Sequence, residues 1–164
     1  MRQANPSARW HRTTASTSTR SNSSFGTPLP SPPDLPTFLI DRALGRHVFP
    51  QRVVACGYGC LTLAEFYGDE HAAQAAADIT WLAEAAGRDP VILTRDGNLY
   101  VNDHERLALE RHRHRVFWIG PKKGTGHDWA DTFETHHRAI VHYARRPGPY
   151  VVKVQQRGLE RAWP

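Results

Sequence analysis

The chain has 164 residues, of which 40% are hydrophobic and 23% charged, and its formal net charge is +5. This length suits one compact domain, and because no apolar run is long enough to span a bilayer we expect no membrane segment. Cys56 and Cys60 have no second pair with which to complete a zinc site, and no signal peptide points to an oxidising compartment. We therefore expect buried, reduced thiols in a cytoplasmic protein.

Residues 1–36 differ in composition from the rest of the chain. They are rich in Ser, Thr, Pro and Arg, and Asp34 is their only acid. Such a segment buries too little apolar surface to offset its chain entropy. We predict a disordered tail over residues 1–36 and a folded domain over residues 37–164. A transit peptide has a similar composition, and a start codon assigned too far upstream would look the same, so whether the tail belongs to the native protein stays open.

From residue 37 onwards, strand and helix signals alternate. Apolar runs predict strands over residues 37–40, 60–64, 91–94, 115–119 and 150–154. Helical spacing predicts helices over residues 43–55, 69–77 and 80–86, from 102 or 103 to 110, and from 128 or 129 to 146. Pro50 interrupts the first of these helices, and Asp78 stands where the third needs an N-cap. This alternation indicates an α/β fold with a parallel sheet and helices on both faces.

Two of the predicted strands end at an aspartate. Asp41 follows the apolar run of residues 38–40, and Asp96 closes the run of residues 91–95. Ligands bind at the carboxyl ends of strands in open parallel sheets, and two carboxylates brought together there repel each other unless a cation lies between them. The pair therefore indicates a site for a hard divalent metal. Taken singly, each aspartate is simply a solvent-facing strand end.

The charge is unevenly distributed along the predicted domain. Residues 37–103 hold five basic and nine acidic side chains, whereas residues 104–164 hold twelve and six. An acidic half beside a basic half is what an enzyme acting on a phosphate backbone needs. We predict nucleic-acid contacts at Arg113, Arg115, Lys122 and Lys123; ordinary solvated surface explains the charges equally well. The histidines show no metalloprotease spacing and are expected to be solvated.

Other familiar fingerprints are absent from the sequence. The glycines of residues 57–59 lack the third glycine of a dinucleotide-binding motif and precede a strand instead of a helix. Residues 121–126 lack the Gly-Lys-Ser/Thr order of a P-loop. Asp41 has no second aspartate two residues later, as an aspartate-phosphorylating phosphatase would need.

Four short motifs, in order, resemble PIN-like domains. They are Phe-Leu-Ile-Asp-Arg-Ala-Leu-Gly at residues 38–45, Thr-Leu-Ala-Glu at 62–65 with Tyr-Gly at 67–68, Asp-Ile-Thr-Trp-Leu at 78–82, and Ile-Leu-Thr-Arg-Asp at 92–96. The chain most resembles the VapC45-like branch of this family, over residues 37 to about 154. The resemblance implies a three-layer α/β/α sandwich with a central parallel sheet. It also implies Mg²⁺- or Mn²⁺-dependent cleavage of RNA, often as the toxin of a toxin–antitoxin pair.

The resemblance also implies site residues. Asp41 matches the acid that closes the first strand, Asp78 the acid that opens a helix, and Asp96 the acid of a Thr-x-Asp motif whose hydroxyl is Thr94. The expected catalytic set is thus Asp41, Asp78, Thr94 and Asp96. The fourth acid of the metal site is less obvious, and the candidates are Glu65, Asp69, Glu70 and Asp103. We choose Glu65, which ends the second predicted strand, as the ligand that joins the three aspartates.

Two functions of different class follow from this resemblance. The first is a metal-dependent ribonuclease with RNA as substrate and, as partners, an antitoxin protein or a second copy of the chain. The second is a PIN-like scaffold without catalysis that binds nucleic acid or protein. A site reduced to three acids favours the second, and a fourth acid favours the first.

Overall fold

The computed structural model describes residues 35–164, so the predicted tail lies outside the described residues except for its last two. The strands are β1 (Phe38–Ile40), β2 (Cys60–Thr62), β3 (Val91–Thr94), β4 (Arg115–Ile119), β5 (Tyr150–Gln155) and β6 (Gly158–Trp163). The α-helices are α1 (Val48–Ala55), α2 (Leu63–Tyr67), α3 (Glu70–Ala75), α4 (Asp78–Ala85), α5 (Asp103–Arg111) and α6 (Gly126–Ala144). Three short 3₁₀ helices cover Arg42–Leu44, Ala86–Arg88 and Gly97–Tyr100. None of the helices in this part of the chain combines the length and the apolar character needed to cross a membrane.

All six strands form one sheet in the order β2-β1-β3-β4-β5-β6. β1 to β5 are parallel, and only β6 runs antiparallel to its neighbour. The carboxyl ends of the five parallel strands therefore meet at one side of the sheet, the carboxyl edge, directly after Ile40, Thr62, Thr94, Ile119 and Gln155. Their amino ends meet at the opposite side, the amino edge, which begins at Phe38, Cys60, Val91, Arg115 and Tyr150. The predicted α/β fold with its parallel central sheet is confirmed.

A hydrophobic core covers each face of the sheet. On one face, Phe49 of α1 and Phe133 of α6 pack against strand residues such as Phe38. On the other, Trp81 of α4 and Leu109 of α5 pack with the alternate strand positions Leu39, Ile92, Val116 and Val151. Neighbouring strand residues thus belong to opposite cores, as strand geometry requires. The result is the predicted three-layer sandwich.

Three local predictions were wrong. Pro50 does not interrupt a helix, because it is the third residue of α1, where no intrahelical partner is needed for a backbone N–H. The strand predicted over residues 60–64 ends at Thr62, since Thr62 and Glu65 form a reciprocal capping box that starts α2. The last strand, β6, has no regular apolar alternation in sequence and was missed.

The cysteines and histidines match the burial expected from the sequence only in part. Both cysteines are free; Cys60 is buried as predicted, whereas Cys56 is only half-buried, so the prediction of a buried thiol was wrong there. His114 contradicts the expectation of solvated histidines, because it is 3% exposed and its Nε2 lies 2.8 Å from the carbonyl oxygen of Leu82. The His114 ring is therefore packed inside the protein near the amino edge of the sheet.

Candidate active site

Asp41 and Thr94 meet across the neighbouring strands β1 and β3. Ile40 pairs with Leu93 in the sheet, and the Asp41 N–H donates to the Leu93 carbonyl. The Thr94 hydroxyl donates to Asp41 Oδ2 at 2.6 Å and accepts from the Asp96 N–H at 2.9 Å. One hydroxyl therefore joins the two aspartates that the sequence singled out, and it fixes the orientation of the Asp41 carboxylate.

Asp78 reaches the same edge from helix α4. It is the first residue of that helix, and the N-cap is Ala77, so the predicted capping role of Asp78 was wrong. Its Oδ1 instead accepts from Arg42 Nη2 at 2.9 Å and from Trp81 Nε1 at 2.8 Å. Arg42 also donates to the carbonyl oxygens of Ala73 and Ala76. The carboxylate is thus held in place by one cation and one indole.

Asp41, Asp78 and Asp96 line one cavity of about 290 Å³, together with Arg42 and Arg95. This acidic cavity lies at the carboxyl edge, where open parallel sheets bind ligands. Asp41 is only 4% exposed. Burial raises its pKa, the Thr94 hydrogen bond opposes the rise, and the charge of Asp78 adds to it. The site therefore holds a desolvated carboxyl group in the field of a second one.

Glu105 does not line the acidic cavity, but it lies within reach of the charges of two of its aspartates, and the sequence did not reveal it. It lies on α5, and burial followed by the charges of Asp78 and Asp96 raises its pKa. Its Oε2 is buried without a hydrogen-bond partner. Among the described residues, only one other buried side-chain N or O atom lacks a hydrogen-bond partner. That atom is Arg95 Nε, and Arg95 lines the acidic cavity. Both unpaired atoms thus belong to this part of the molecule.

The geometry agrees with the outcome of sequence comparison. Residues 36–121 match the family model described as a PIN like domain. The chain belongs to the PIN-like domain family. The matched span contains Asp41, Asp78, Thr94, Asp96 and Glu105, and the family resemblance predicted from the sequence is confirmed.

One curated protein is similar to this chain over most of its length. The Mycobacterium tuberculosis (strain ATCC 25618 / H37Rv) protein named "Putative ribonuclease VapC45" is 29% identical to this PIN-like chain over 128 residues, which cover 78% of this chain and 92% of that protein. No solved structure matches the chain.

The structure does not bring Glu65 to the acidic cavity. Its carboxylate accepts hydrogen bonds from the backbone N–H and the hydroxyl of Thr62, at 2.8 and 2.9 Å. Glu65 is thus committed to capping α2 and lies in the first helical turn, not at a strand end. Neither Glu65 nor Glu105 lines the acidic cavity of this PIN-like domain, but the charges of Asp78 and Asp96 act on Glu105.

The four predicted nucleic-acid residues are divided between the two edges of the sheet. Lys122 and Lys123 follow β4 at the carboxyl edge, near the acids. Arg113 and Arg115 precede or begin β4, a strand about 13 Å long at 3.3 Å per residue. Arg115 donates to the carbonyl oxygens of Ala144 and Asp89 and pairs with the Asp89 carboxylate. These four residues therefore do not form one surface patch, because the direction of β4 separates the two arginines from the two lysines.

Within residues 35–164, no three His, Cys, Asp or Glu side chains lie close enough together to ligate one metal ion directly. Mg²⁺ does not require such a cage, since it keeps several of its waters and binds through one or two carboxylates. The donor set at the acidic cavity is entirely carboxylate and hydroxyl oxygen, the chemistry that Mg²⁺ and Mn²⁺ prefer. Together with the unpaired Glu105 Oε2, this set fits a hydrated divalent ion.

Proposed function

We propose that this PIN-like domain is a divalent-metal-dependent ribonuclease that hydrolyses phosphodiester bonds in RNA. The observation that carries the proposal is the cavity lined by Asp41, Asp78 and Asp96, with Glu105 nearby. Burial, followed by the charge of Asp78, raises the pKa of Asp41, and burial, followed by the charges of Asp78 and Asp96, raises the pKa of Glu105. Mutual repulsion of this kind costs stability unless a cation relieves it. RNA is the substrate we favour because the curated relative is named as a ribonuclease.

Mg²⁺ or Mn²⁺ would be held by carboxylates from this set. A bound divalent ion lowers the pKa of a water and neutralises charge on phosphoryl oxygens. The residues of the chain prepare the site. Thr94 holds Asp41 in one orientation, and Arg42 with Trp81 occupies one oxygen of Asp78 and leaves the other free. Arg95 lines the same cavity, with its guanidinium held over the Trp129 ring, and is placed to attract a phosphate. No protein nucleophile is needed.

One observation favours a second candidate function. Arg42 already supplies a cation to Asp78 at 2.9 Å, which reduces the need for a metal there. A scaffold that has lost catalysis would keep such an ion pair and could still bind nucleic acid or protein. In that case neither divalent metals nor the acids would affect any RNA added to the protein.

Cleavage of RNA by the purified full chain separates these functions. We expect labelled RNA to be cut in Mg²⁺ or Mn²⁺, to stay intact in a chelator, and to stay intact with Asp96→Asn. Glu160→Gln, an exposed acid on β6, is the matched control and should cut like the wild type. If the wild type leaves RNA uncut under every metal condition, the protein is not a ribonuclease.

The proposed biological role is the toxin of a toxin–antitoxin pair in the cytoplasm, with an antitoxin as inhibitory partner and a homodimer as the assembly. Induced expression of the wild type should then arrest growth, and Asp96→Asn should not. Co-expression of a neighbouring small reading frame should restore growth. Arrest by both forms alike would argue against a toxin that works by cleavage.

A further inference from the structure

Arg42 and Asp78 form an ion pair inside the acidic cavity. Arg42 Nη2 lies 2.9 Å from Asp78 Oδ1, and the two side chains are only 29% and 21% exposed, so water screens the pair weakly. Within residues 35–164, no other ion pair involves a residue that lines this cavity. Of the three aspartates that line the cavity, Asp78 is therefore the one that the described part of the chain pairs with a cation.

Helix α3 holds the guanidinium of Arg42 from its other side. Arg42 Nη1 donates to the carbonyl oxygens of Ala73 and Ala76, each at 2.9 Å. Both carbonyls lie at the C-terminal end of α3, where the last carbonyl groups of a helix have no intrahelical partner. A guanidinium is planar, permanently charged and rich in donors, so it can bond to the helix end and to a carboxylate at the same time. The positive charge beside Asp78 is therefore fixed in place by the fold.

The second arginine of the cavity is directed away from the acids. The Arg95 guanidinium lies over the Trp129 ring, 4.0 Å from its centroid, and Arg95 Nη2 donates to the carbonyl oxygen of Lys122. Arg95 takes part in none of the ion pairs among residues 35–164. Asp41 and Asp96 thus line the cavity without a paired cation. Two carboxylates carry the charge that one divalent ion balances, and Mg²⁺ is usually bound through one or two carboxylates.

We infer that Arg42 is a positioning residue that takes the place of a second metal ion, so that the acidic cavity binds one divalent ion. Sites with two ions place them about 3.5–4 Å apart. Here Arg42 holds one oxygen of Asp78 and supplies the positive charge that a second ion would bring. The inference rests on the proposed metal-dependent function and adds the number of ions and the residue that sets this number.

Counting the Mn²⁺ ions bound by the full chain tests this inference. Calorimetric titration gives the number of ions per chain, and electron paramagnetic resonance shows whether two ions lie close enough to couple. Arg42→Gln removes the charge and keeps a hydrogen-bond donor, whereas Arg42→Lys keeps the charge. The double variant Arg42→Gln with Asp78→Asn removes the cation and its partner together. Arg46→Gln is the matched control, because Arg46 pairs with Glu70 and does not line the acidic cavity.

We expect one ion in the wild type, in Arg42→Lys and in Arg46→Gln. Arg42→Gln should bind two ions, and adding Asp78→Asn should return the number to one. Mn²⁺ should also raise the melting temperature of Arg42→Gln more than that of the wild type, because the second ion binds only the folded state. If Arg42→Gln does not fold alone, Mn²⁺ should fold it, and circular dichroism measures this.

The outcomes distinguish this inference from the proposed function. One ion in both the wild type and Arg42→Gln would overturn the inference and leave the ribonuclease intact, as would two ions in the wild type. An Arg42→Gln chain that stays unfolded in Mn²⁺ would overturn it as well. Binding by Arg42→Gln but not by the wild type would support Arg42 as the built-in cation and overturn a metal-dependent ribonuclease. Absence of binding in all of these proteins would overturn both.

Discussion

The two edges of the parallel sheet satisfy their polar groups to very different degrees. At the amino edge, Arg115 is hydrogen-bonded to two backbone carbonyls and paired with Asp89, and His114 is bonded to Leu82. At the carboxyl edge, Asp41 is buried beside another carboxylate, and Glu105 Oε2 and Arg95 Nε have no hydrogen-bond partner. Both edges carry buried or half-buried polar groups that are paired within the protein, but among the described residues the buried atoms left without a partner, Glu105 Oε2 and Arg95 Nε, both belong to residues near the carboxyl edge.

This difference is physically informative because unpaired buried polar groups are costly and rare. Local rules of this kind are broken at functional sites and satisfied elsewhere. We therefore expect substitutions at the carboxyl edge to affect RNA cleavage more than stability, and substitutions at the amino edge to do the reverse.

Asp41→Asn should lower RNA cleavage on the order of a hundredfold or more and yet raise the stability of the protein. Asparagine keeps an oxygen for the Thr94 hydroxyl and removes a buried charge. Since the pKa of Asp41 is raised on folding, the charge costs stability above that pKa, and the gain should shrink as the pH falls through it. Melting temperatures across pH measure this effect, and a lower melting temperature of Asp41→Asn at neutral pH would contradict it.

Gly148→Ala should destabilise the fold by about 3 kcal/mol. A Cβ at Gly148 would lie 2.1 Å from the carbonyl oxygen of Arg113, and a backbone atom cannot move aside cheaply. Gly87→Ala is the matched control, because no heavy atom lies within 4 Å of its added Cβ. Chemical denaturation of the two variants gives the comparison. Similar losses in both would mean that the amino edge is less tightly packed than the distance implies.

Arg115→Ala should cost about 2 kcal/mol of stability, as expected for the loss of hydrogen bonds from a charged group. The affinity of the folded variant for RNA should stay within twofold of the wild type, because Arg115 is engaged at the edge opposite the acids. Denaturation and anisotropy on the same preparation measure both quantities. A large loss of RNA affinity would restore Arg115 to the substrate surface.

His114 should produce the smallest effect, a dependence of stability on pH. Burial lowers its pKa in the folded state below the ordinary value of 6.5. The unfolded chain therefore takes up the proton first, and stability is lost as the pH falls from about 6.5 towards the folded pKa. His114→Gln, which can still donate to Leu82, should flatten the melting-temperature profile in that window. Parallel profiles for the two proteins would show that another group is responsible.

The sequence predicted the elements that carry strong local signals. β1, β3 and β4 each contain an apolar run of three or four residues. The direction of β1 and β3 in a parallel sheet was enough to place Asp41 and Asp96 at one edge. The start of α2 also had a local signal, the Thr62-to-Glu65 capping box, but the adjoining apolar residues were interpreted as strand.

Glu105 could not be predicted in the same way. It lies on a mostly polar helix, and its approach to Asp78 and Asp96 depends on how α5 packs against α4 and not on the sequence around it. Arg113 and Arg115 were grouped with the two lysines for a similar reason, because a count of charges along the sequence does not show the direction of the strand that carries them. Arg113 and Lys122 are nine residues apart, yet β4 carries them to opposite edges.

Binding of Mn²⁺ by the full chain, measured by calorimetry, tests the central claim most directly. Wild type should bind the ion, and Asp41→Asn and Glu105→Gln should each weaken binding at least tenfold. Glu65→Gln, the matched control at the acid chosen from the sequence, should bind like the wild type. Equal Mn²⁺ affinity in all four proteins, or a loss only in Glu65→Gln, would contradict a metal site formed by the acids of the carboxyl edge.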